Sequence, residues 1–129
     1  MIAGVGTDII EIERIVKAVT HNPRFILKNF TLKEQSYFKK RKNSYQTIAG
    51  NFAAKEAISK ALGTGFSGFG LIDIEVTRDK QGAPIAFLYG KAEQVAKEKN
   101  ITNIWVSISH CTAYATAYAI AESFLDRGL

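Results

Sequence analysis

The sequence predicts an α+β fold in which antiparallel strands pack against several helices. The first half carries apolar stripes at helical spacing with helix start and stop signals. The second half carries short runs of alternating apolar and polar residues, two of them separated by the turn-forming Asp79-Lys80-Gln81-Gly82. A length of 129 residues with 47% apolar side chains is ordinary for one globular unit, so residues 1–129 are read as a single domain without repeat or linker.

Met1 to Gly6 read as a short strand. Ile9, Ile12, Ile15, Val16 and Val19 then recur at helical spacing, which places Asp8 near a strand-to-helix junction. Asn22-Pro23 has the form of a cap followed by proline in the first helical turn, opening a short helix through Leu27. Thr31-Leu32-Lys33-Glu34 has capping-box spacing and starts a helix to about Lys40. The charged run Lys39 to Ser44 is a solvated turn, and a helix from Tyr45 to Leu62 follows, ended by Gly63.

The segment Gly63 to Gly70 holds four glycines in eight positions, the composition of a flexible or closely approached loop and a candidate lid or phosphate contact. Ile72, Ile74 and Val76 alternate with polar residues and pair, as a hairpin, with a strand around Pro84 to Leu88. A helix from Lys91 to Lys99 precedes strands at Ile104–Ser109 and Ala113–Ala121, the second alanine-rich enough that a helix competes. On the first of these, Ile104, Val106 and Ile108 should face the core.

Seventeen basic and twelve acidic residues leave a formal charge of +5, which attracts polyanions: nucleic acid, an anionic membrane, a phosphate-rich cofactor or an acidic protein. One cysteine, Cys111, excludes an internal disulfide and a cysteine zinc cluster. With no secretory signal and no apolar run of about 18 residues, a cytoplasmic protein without membrane attachment is the simplest expectation.

Asp8 sits in an apolar, glycine-rich opening, where a carboxylate needs a cap, a cation or solvent. Taken alone it reads as a helix N-cap. Glu56 and Lys60, four apart on one helix face, read alone as an exposed ion pair. Gathered in one site, the two carboxylates would offer hard oxygen ligands for Mg²⁺ and Lys60 a charge for a phosphate oxygen. His110, at a strand end, is either a structural hydrogen-bonding residue or a site residue. Arg14, Lys17, Arg24 and Lys28, interleaved with Val16, Phe25 and Ile26, form either a solvated face or a surface for an acidic helix.

Gly4-Val5-Gly6-Thr7-Asp8-Ile9-Ile10-Glu11-Ile12, together with Phe52-Ala53-Ala54-Lys55-Glu56-Ala57-Ile58-Ser59-Lys60-Ala61-Leu62-Gly63-Thr64-Gly65 and Val106-Ser107-Ile108-Ser109-His110, closely resembles the holo-acyl-carrier-protein synthase family. The motifs occur in the family's order and span nearly the whole chain. The resemblance implies a 4′-phosphopantetheinyl transferase-like fold. It also implies transfer of 4′-phosphopantetheine from coenzyme A to a serine of apo-acyl carrier protein, releasing adenosine 3′,5′-bisphosphate, in support of fatty acid biosynthesis.

By position in the motifs, the resemblance makes Asp8 and Glu56 magnesium ligands and Lys60 a pyrophosphate contact that assists the leaving group. His110 would touch cofactor phosphate or order the site. Gly63, Thr64, Gly65, Gly82, Pro84 and Ser109 join Lys60 and His110 as expected coenzyme A contacts. The acceptor of the serine proton is Asp8 or Glu56 through water, or a water on the metal. Arg14, Lys17, Arg24, Phe25 and Lys28 become the expected carrier-docking residues. The family's compact bacterial members are trimers with sites between subunits, and a homotrimer is expected here.

The chain departs from the family pattern at Asn51, where arginine is common, at Cys111, where threonine or serine stands, and at Ala83, often lysine. None of these touches the expected metal ligands. Two other classes compete. A nucleic-acid-binding module would draw on the net charge with Tyr37, Phe38 and Tyr45, but no recognised nucleic-acid motif is present. A catalytically silent carrier-binding protein is the other.

Overall fold

A computed structural model of the chain describes residues 1–124. Strand β1 (Ile2–Glu11) leads into helix α1 (Ile12–His21), followed by α2 (Phe25–Asn29), α3 (Leu32–Lys40) and the long α4 (Tyr45–Ala61). A 3₁₀ turn (Leu71–Asp73) opens the β2 (Ile74–Arg78) and β3 (Pro84–Leu88) hairpin. Helix α5 (Gly90–Glu98) then precedes the strands β4 (Ile101–His110) and β5 (Tyr114–Ser123). One antiparallel sheet has the order β1-β5-β4, and β2-β3 form a second.

The expected α+β class is present, with several boundaries as the caps require. The Thr31 hydroxyl accepts from the Glu34 amide, and the Glu34 carboxylate from the Thr31 amide, which starts α3. Ser44 caps α4 by accepting from the Thr47 amide. Gly63 ends α4 with φ of +83°, a conformation costly for other residues. At the hairpin, the Asp79 carboxylate accepts from the Gln81 and Ala83 amides while Gly82 takes φ of +89°.

Three expectations are corrected. Asp8 is not at a strand-to-helix junction: β1 runs on to Glu11, and Asp8 pairs with Ala117 in mid-strand. Ile9 and Ile10 are β-branched and find partners in Thr116 and Ala115, so pairing overrides the helical spacing. The short helix after Asn22-Pro23 begins at Phe25, because the Asn22 side chain instead accepts from the Arg24 amide and closes a turn. Ile72 lies in the 3₁₀ turn rather than in β2. The alanine-rich Ala113–Ala121 segment is strand, as its alternation with Tyr114, Thr116, Tyr118 and Ile120 favours.

The large sheet presents one face to α4. That face consists of Gly4, Gly6, Asp8 and Ile10 on β1, Ala115, Ala117, Ala119 and Ala121 on β5, and Ile104, Val106 and Ile108 on β4. All four alanines are completely buried. Opposite them lie Ala53, Ala57 and Ala61, so helix and sheet meet along small side chains. A Cβ placed on Gly4 would stand 1.9 Å from the Ala61 carbonyl oxygen, and one on Gly6 the same distance from that of Ala57. No rotamer change relieves a clash with backbone.

A second cluster, around Phe30, Phe38, Ile15 and Ile48, fixes α1 to α3 on the N-terminal part of α4. Beside it Lys55 and Glu34, both completely buried, form a 2.6 Å ion pair. Burial pushes the Glu34 carboxyl up and the Lys55 ammonium down, and their mutual attraction opposes both shifts. Lys55 also donates to the carbonyls of Asn29, Leu71 and Ile74, and so ties α2, α4 and the start of β2 together. Among the described residues, no helix is long and apolar enough to cross a membrane.

Replacing Gly6 with alanine should force β1 off α4 and cost about 3 kcal/mol in urea-denaturation stability. Gly70→Ala, where an added Cβ meets nothing within 4 Å, should stay within about 0.5 kcal/mol. Equally small effects at both positions would mean that the strand and helix are free to separate.

Candidate active site

The glycines that let β1 lie against α4 also deliver Asp8. Asp8 points to the helix face of the sheet, two residues beyond Gly6, and meets the side chains one turn along α4. The Lys60 ammonium donates to Asp8 Oδ1 at 3.2 Å and to the Thr7 carbonyl at 2.9 Å. Glu56 stands one turn before Lys60. Its carboxyl is held above the ordinary carboxylate range, first by burial and then by the charge of Asp8, with Lys60 pulling the other way. Two neighbouring carboxylates, balanced by one lysine that is half exposed, leave a site short of positive charge.

A cavity of about 420 Å³ opens over this pair. Arg14 and Ile15 of α1, Phe25 of α2 and Phe52 of α4 line it together with Asp8 and Glu56. Phe25 stacks on Phe52 with ring centroids 6.1 Å apart, which makes the far wall rigid and apolar. Of the basic residues singled out in the sequence, Arg14 thus shares a cavity with the carboxylates. Lys17 is exposed on α1, and Arg24 and Lys28 flank exposed Leu27 in a separate depression on α2.

His110 is not brought to the carboxylates of its own chain. It lies at the end of β4, in a cleft of about 190 Å³ whose lining includes Gly82, Pro84, Tyr37, Arg41, Thr47 and Arg78. Gly82 and Pro84 therefore do keep company with His110. A contiguous depression adds Lys40, Lys42 and Ser44. This concentration of positive charge was hidden in the sequence: Arg41 and Lys42 read as a solvated turn, and Arg78 carried no reading of its own. The signals were weak ones, a lone polar Asn51 inside an apolar helix run and an arginine directly before a hairpin turn.

Gly63, Thr64 and Gly65 follow α4 one turn past Lys60 and share no cavity with His110. The glycine-rich loop they open is not a loose lid, because Phe66 and Phe69 pack edge-to-face at 5.7 Å and Phe69 is buried in the core. Ser109 points to the opposite face of the sheet from His110, in register with Thr116 and Ile9. Of the aromatics considered for base stacking, Phe38 is buried, Tyr37 lies under Arg78 and Tyr45 is exposed.

Residues 4–119 match the model of the 4′-phosphopantetheinyl transferase superfamily. The chain belongs to this superfamily. Over 122 residues it is 59% identical to a holo-[acyl-carrier-protein] synthase of Clostridium botulinum (strain Alaska E43 / Type E3), an alignment covering 95% of this chain and 98% of that protein. It is also similar to the solved holo-[acyl-carrier-protein] synthase of Neisseria meningitidis, with TM-score 0.85 and 32% identity over 95% of this chain and 100% of that one. The Helicobacter pylori enzyme, solved in complex with coenzyme A, gives TM-score 0.80 and 32% identity over 92% and 99%. The transferase fold read from the motifs is thus the fold present.

The superfamily's implied divalent cation can be tested against the donors of this chain. Among the described residues no group of three or more His, Cys, Asp or Glu could enclose an ion. Two carboxylates at the edge of an open cavity do suit Mg²⁺, which commonly takes one or two protein oxygens and completes its shell with phosphate and water. The residues fit that mode and not a closed protein cage.

Because its folded-state pKa is raised, Glu56 binds a proton more tightly folded than unfolded, so the stability it contributes when protonated is lost as pH climbs through that pKa. Side-chain carboxyl NMR titration should find Glu56 titrating above the usual range near 4.5. Asp8→Asn should bring the midpoint down, and Lys60→Met should drive it up. Insensitivity to both substitutions would mean that the three side chains do not share a site.

Proposed function

We propose that this chain transfers 4′-phosphopantetheine from coenzyme A to a serine of apo-acyl carrier protein, with adenosine 3′,5′-bisphosphate leaving, and that it acts in the cytoplasm. The observation that carries the reading is the convergence of Asp8 and Glu56 on one cavity, with Lys60 bonded to Asp8. Relatives carrying the name holo-[acyl-carrier-protein] synthase along nearly the whole length support it.

Asp8 and Glu56 would hold a magnesium ion, which when bound polarises the attacked phosphate and offsets charge on the departing one. Lys60, already tethered to Asp8 and the Thr7 carbonyl, is oriented to take negative charge on the pyrophosphate. Asp8 or Glu56, through one water, is the acceptor we assign to the proton of the serine hydroxyl. The Phe25–Phe52 pair gives the same cavity an apolar wall.

Acyl carrier proteins are acidic, and the α1–α2 surface bearing Arg14, Lys17, Arg24, Phe25 and Lys28 is the docking face we assign to them. Arg14 and Phe25 border the cavity of Asp8 and Glu56, so a carrier bound there presents its serine to the carboxylates. Opposite charges raise the encounter rate and make docking salt-sensitive.

The cleft of His110, Gly82 and Pro84 is the coenzyme A nucleotide site in this reading, with Gly63, Thr64 and Gly65 nearer the pyrophosphate beside Lys60. Thr47 and Gly50 of the cleft precede Glu56 by nine and six residues on α4, about 13 and 9 Å at the helical rise. We propose that one bound coenzyme A joins the carboxylates of one subunit to the cleft of another. The outer sheet face supports such an assembly, since Val5, Ile9, Trp105, Tyr118 and Ile120 stand exposed on it, with Trp105 at 57%. We propose that this face, with Ser109 on it, closes a homotrimer.

Intact-mass spectrometry of apo-acyl carrier protein with coenzyme A and Mg²⁺ should show a gain of one phosphopantetheine group that a chelator abolishes. Asp8→Ala and Glu56→Ala should reduce the rate by about 10²-fold or more while the fold is retained. Full activity in either folded variant would remove that carboxylate from the site. Tyr118→Glu should shift the sedimenting species toward the monomer and lower transfer in parallel; a monomeric variant with unchanged transfer would place a complete site within one chain.

A further inference from the structure

Among the described residues Arg78 forms no salt bridge. It is partly buried at the end of β2, and its guanidinium donates to Asn51 Oδ1 at 2.8 Å, to its neighbour's carbonyl at Thr77 at 3.2 Å and to the Tyr37 side chain. Its ring-side face lies 4.7 Å from the centroid of Tyr37. Burial lowers its pKa, Tyr37 and the more distant Glu34 oppose that shift, and Arg41, in the same cleft, adds repulsion. Of the five N–H donors of a guanidinium, three are committed to Thr77, Asn51 and Tyr37, which leaves two for a ligand.

What holds Arg78 there is fixed by hydrogen-bond accounting. Asn51 is completely buried, and its amide nitrogen donates to Glu34 Oε2 and to the Val76 carbonyl. Both of those groups only accept, so the amide cannot flip, and its carbonyl oxygen must face outward, where a donor is required. Glu34 is not available to neutralise Arg78 directly, because its carboxylate is engaged by Lys55, the Thr31 and Val76 amides and Asn51. The buried network thus positions a guanidinium and leaves its charge unspent.

We propose that Arg78, clamped by Asn51 and Tyr37, is the residue by which this chain selects a nucleotide bearing a terminal phosphomonoester, and that Asn51 is its positioning residue. The proposal rests on the coenzyme A reading above. In that reading the pyrophosphate belongs with Lys60 and the carboxylates, so the phosphate left for the cleft is the 3′-phosphomonoester. A dianionic phosphate matches the forked donor geometry of arginine, and Arg41 and His110 stand on the same cleft to share it.

The test is calorimetric binding of adenosine 3′,5′-bisphosphate against adenosine 5′-phosphate to the intact protein, with steady-state transfer from coenzyme A beside it. The unaltered chain should prefer the bisphosphate. Arg78→Gln should weaken bisphosphate binding by about 10–100-fold, as loss of charged hydrogen bonds does, and leave the 5′-phosphate unaffected, while KM for coenzyme A rises and kcat holds. Arg78→Lys should recover only part of the preference. Asn51→Ala and, should that variant not fold, Tyr37→Leu should lower the bisphosphate preference without removing any phosphate ligand. Equal weakening of both nucleotides in Arg78→Gln, or an undiminished preference, would overturn the proposal. An Arg78-dependent bisphosphate preference in a protein that transfers nothing to a carrier would sustain it while sinking the transferase reading.

Discussion

The closeness of β1 to α4 governs the rest of this molecule. A strand can lie with its backbone against helical carbonyls only where no Cβ intervenes, and at Gly4 and Gly6 even one carbon would collide with Ala61 and Ala57. The same requirement extends across the sheet, where β5 turns four alanines toward the helix, and along the helix, where Ala53, Ala57 and Ala61 answer them. Apolar area per residue is modest in such a seam, but the fit admits little slack. The consequence for the site is positional. With strand and helix this near, Asp8 reaches Lys60, and Glu56 stands within range of its charge.

A second constraint operates on the other side of α4. The segments from α2 through α3 to β2 share no sheet with β1, and the Glu34–Lys55 pair supplies what a ladder would otherwise provide. Burying two charges is costly, and such a pair is sustained only when the remaining donors and acceptors are filled. Here they are: Lys55 has four oxygen partners, and Glu34 accepts from two amides as well as from Lys55 and Asn51. Removal of one partner from such a pair typically costs about 3–5 kcal/mol. Glu34 also belongs to the capping box that starts α3, so a local helix signal and a long-range tie use one carboxylate.

How much of this was legible depended on the range of the interaction. The capping box at Thr31–Glu34, the stop at Gly63 and the turn at Asp79–Gly82 are local, and their residues announce them. The β1–α1 boundary was misplaced because Ile9, Ile12, Ile15 and Val16 satisfy helical spacing while Ile9 and Ile10 equally suit a strand, and only the partner strand β5 decides. Lys55 was missed for a related reason: a lysine in a helix reads as solvent-facing until the carbonyls of Asn29, Leu71 and Ile74 converge on it. The joining of Asp8 to Glu56 and Lys60 came from the motif resemblance and not from spacing, since 48 residues separate the two carboxylates and no local rule spans that interval.

The division of charge along α4 links these two constraints to function. At its C-terminal end the helix carries Glu56 beside Asp8, a site in deficit of positive charge; at its N-terminal end, the cleft of Arg41, Arg78 and His110 is in surplus. The two do not cancel, because the helix packed on its seam holds them in separate cavities. A substrate that joins several phosphates to a divalent cation satisfies both at once, the cation at the deficit and a phosphate at the surplus. In the assembly proposed above, the sheet face that Val5, Trp105 and Tyr118 leave apolar would bring one subunit's carboxylates and another's cleft to the same substrate.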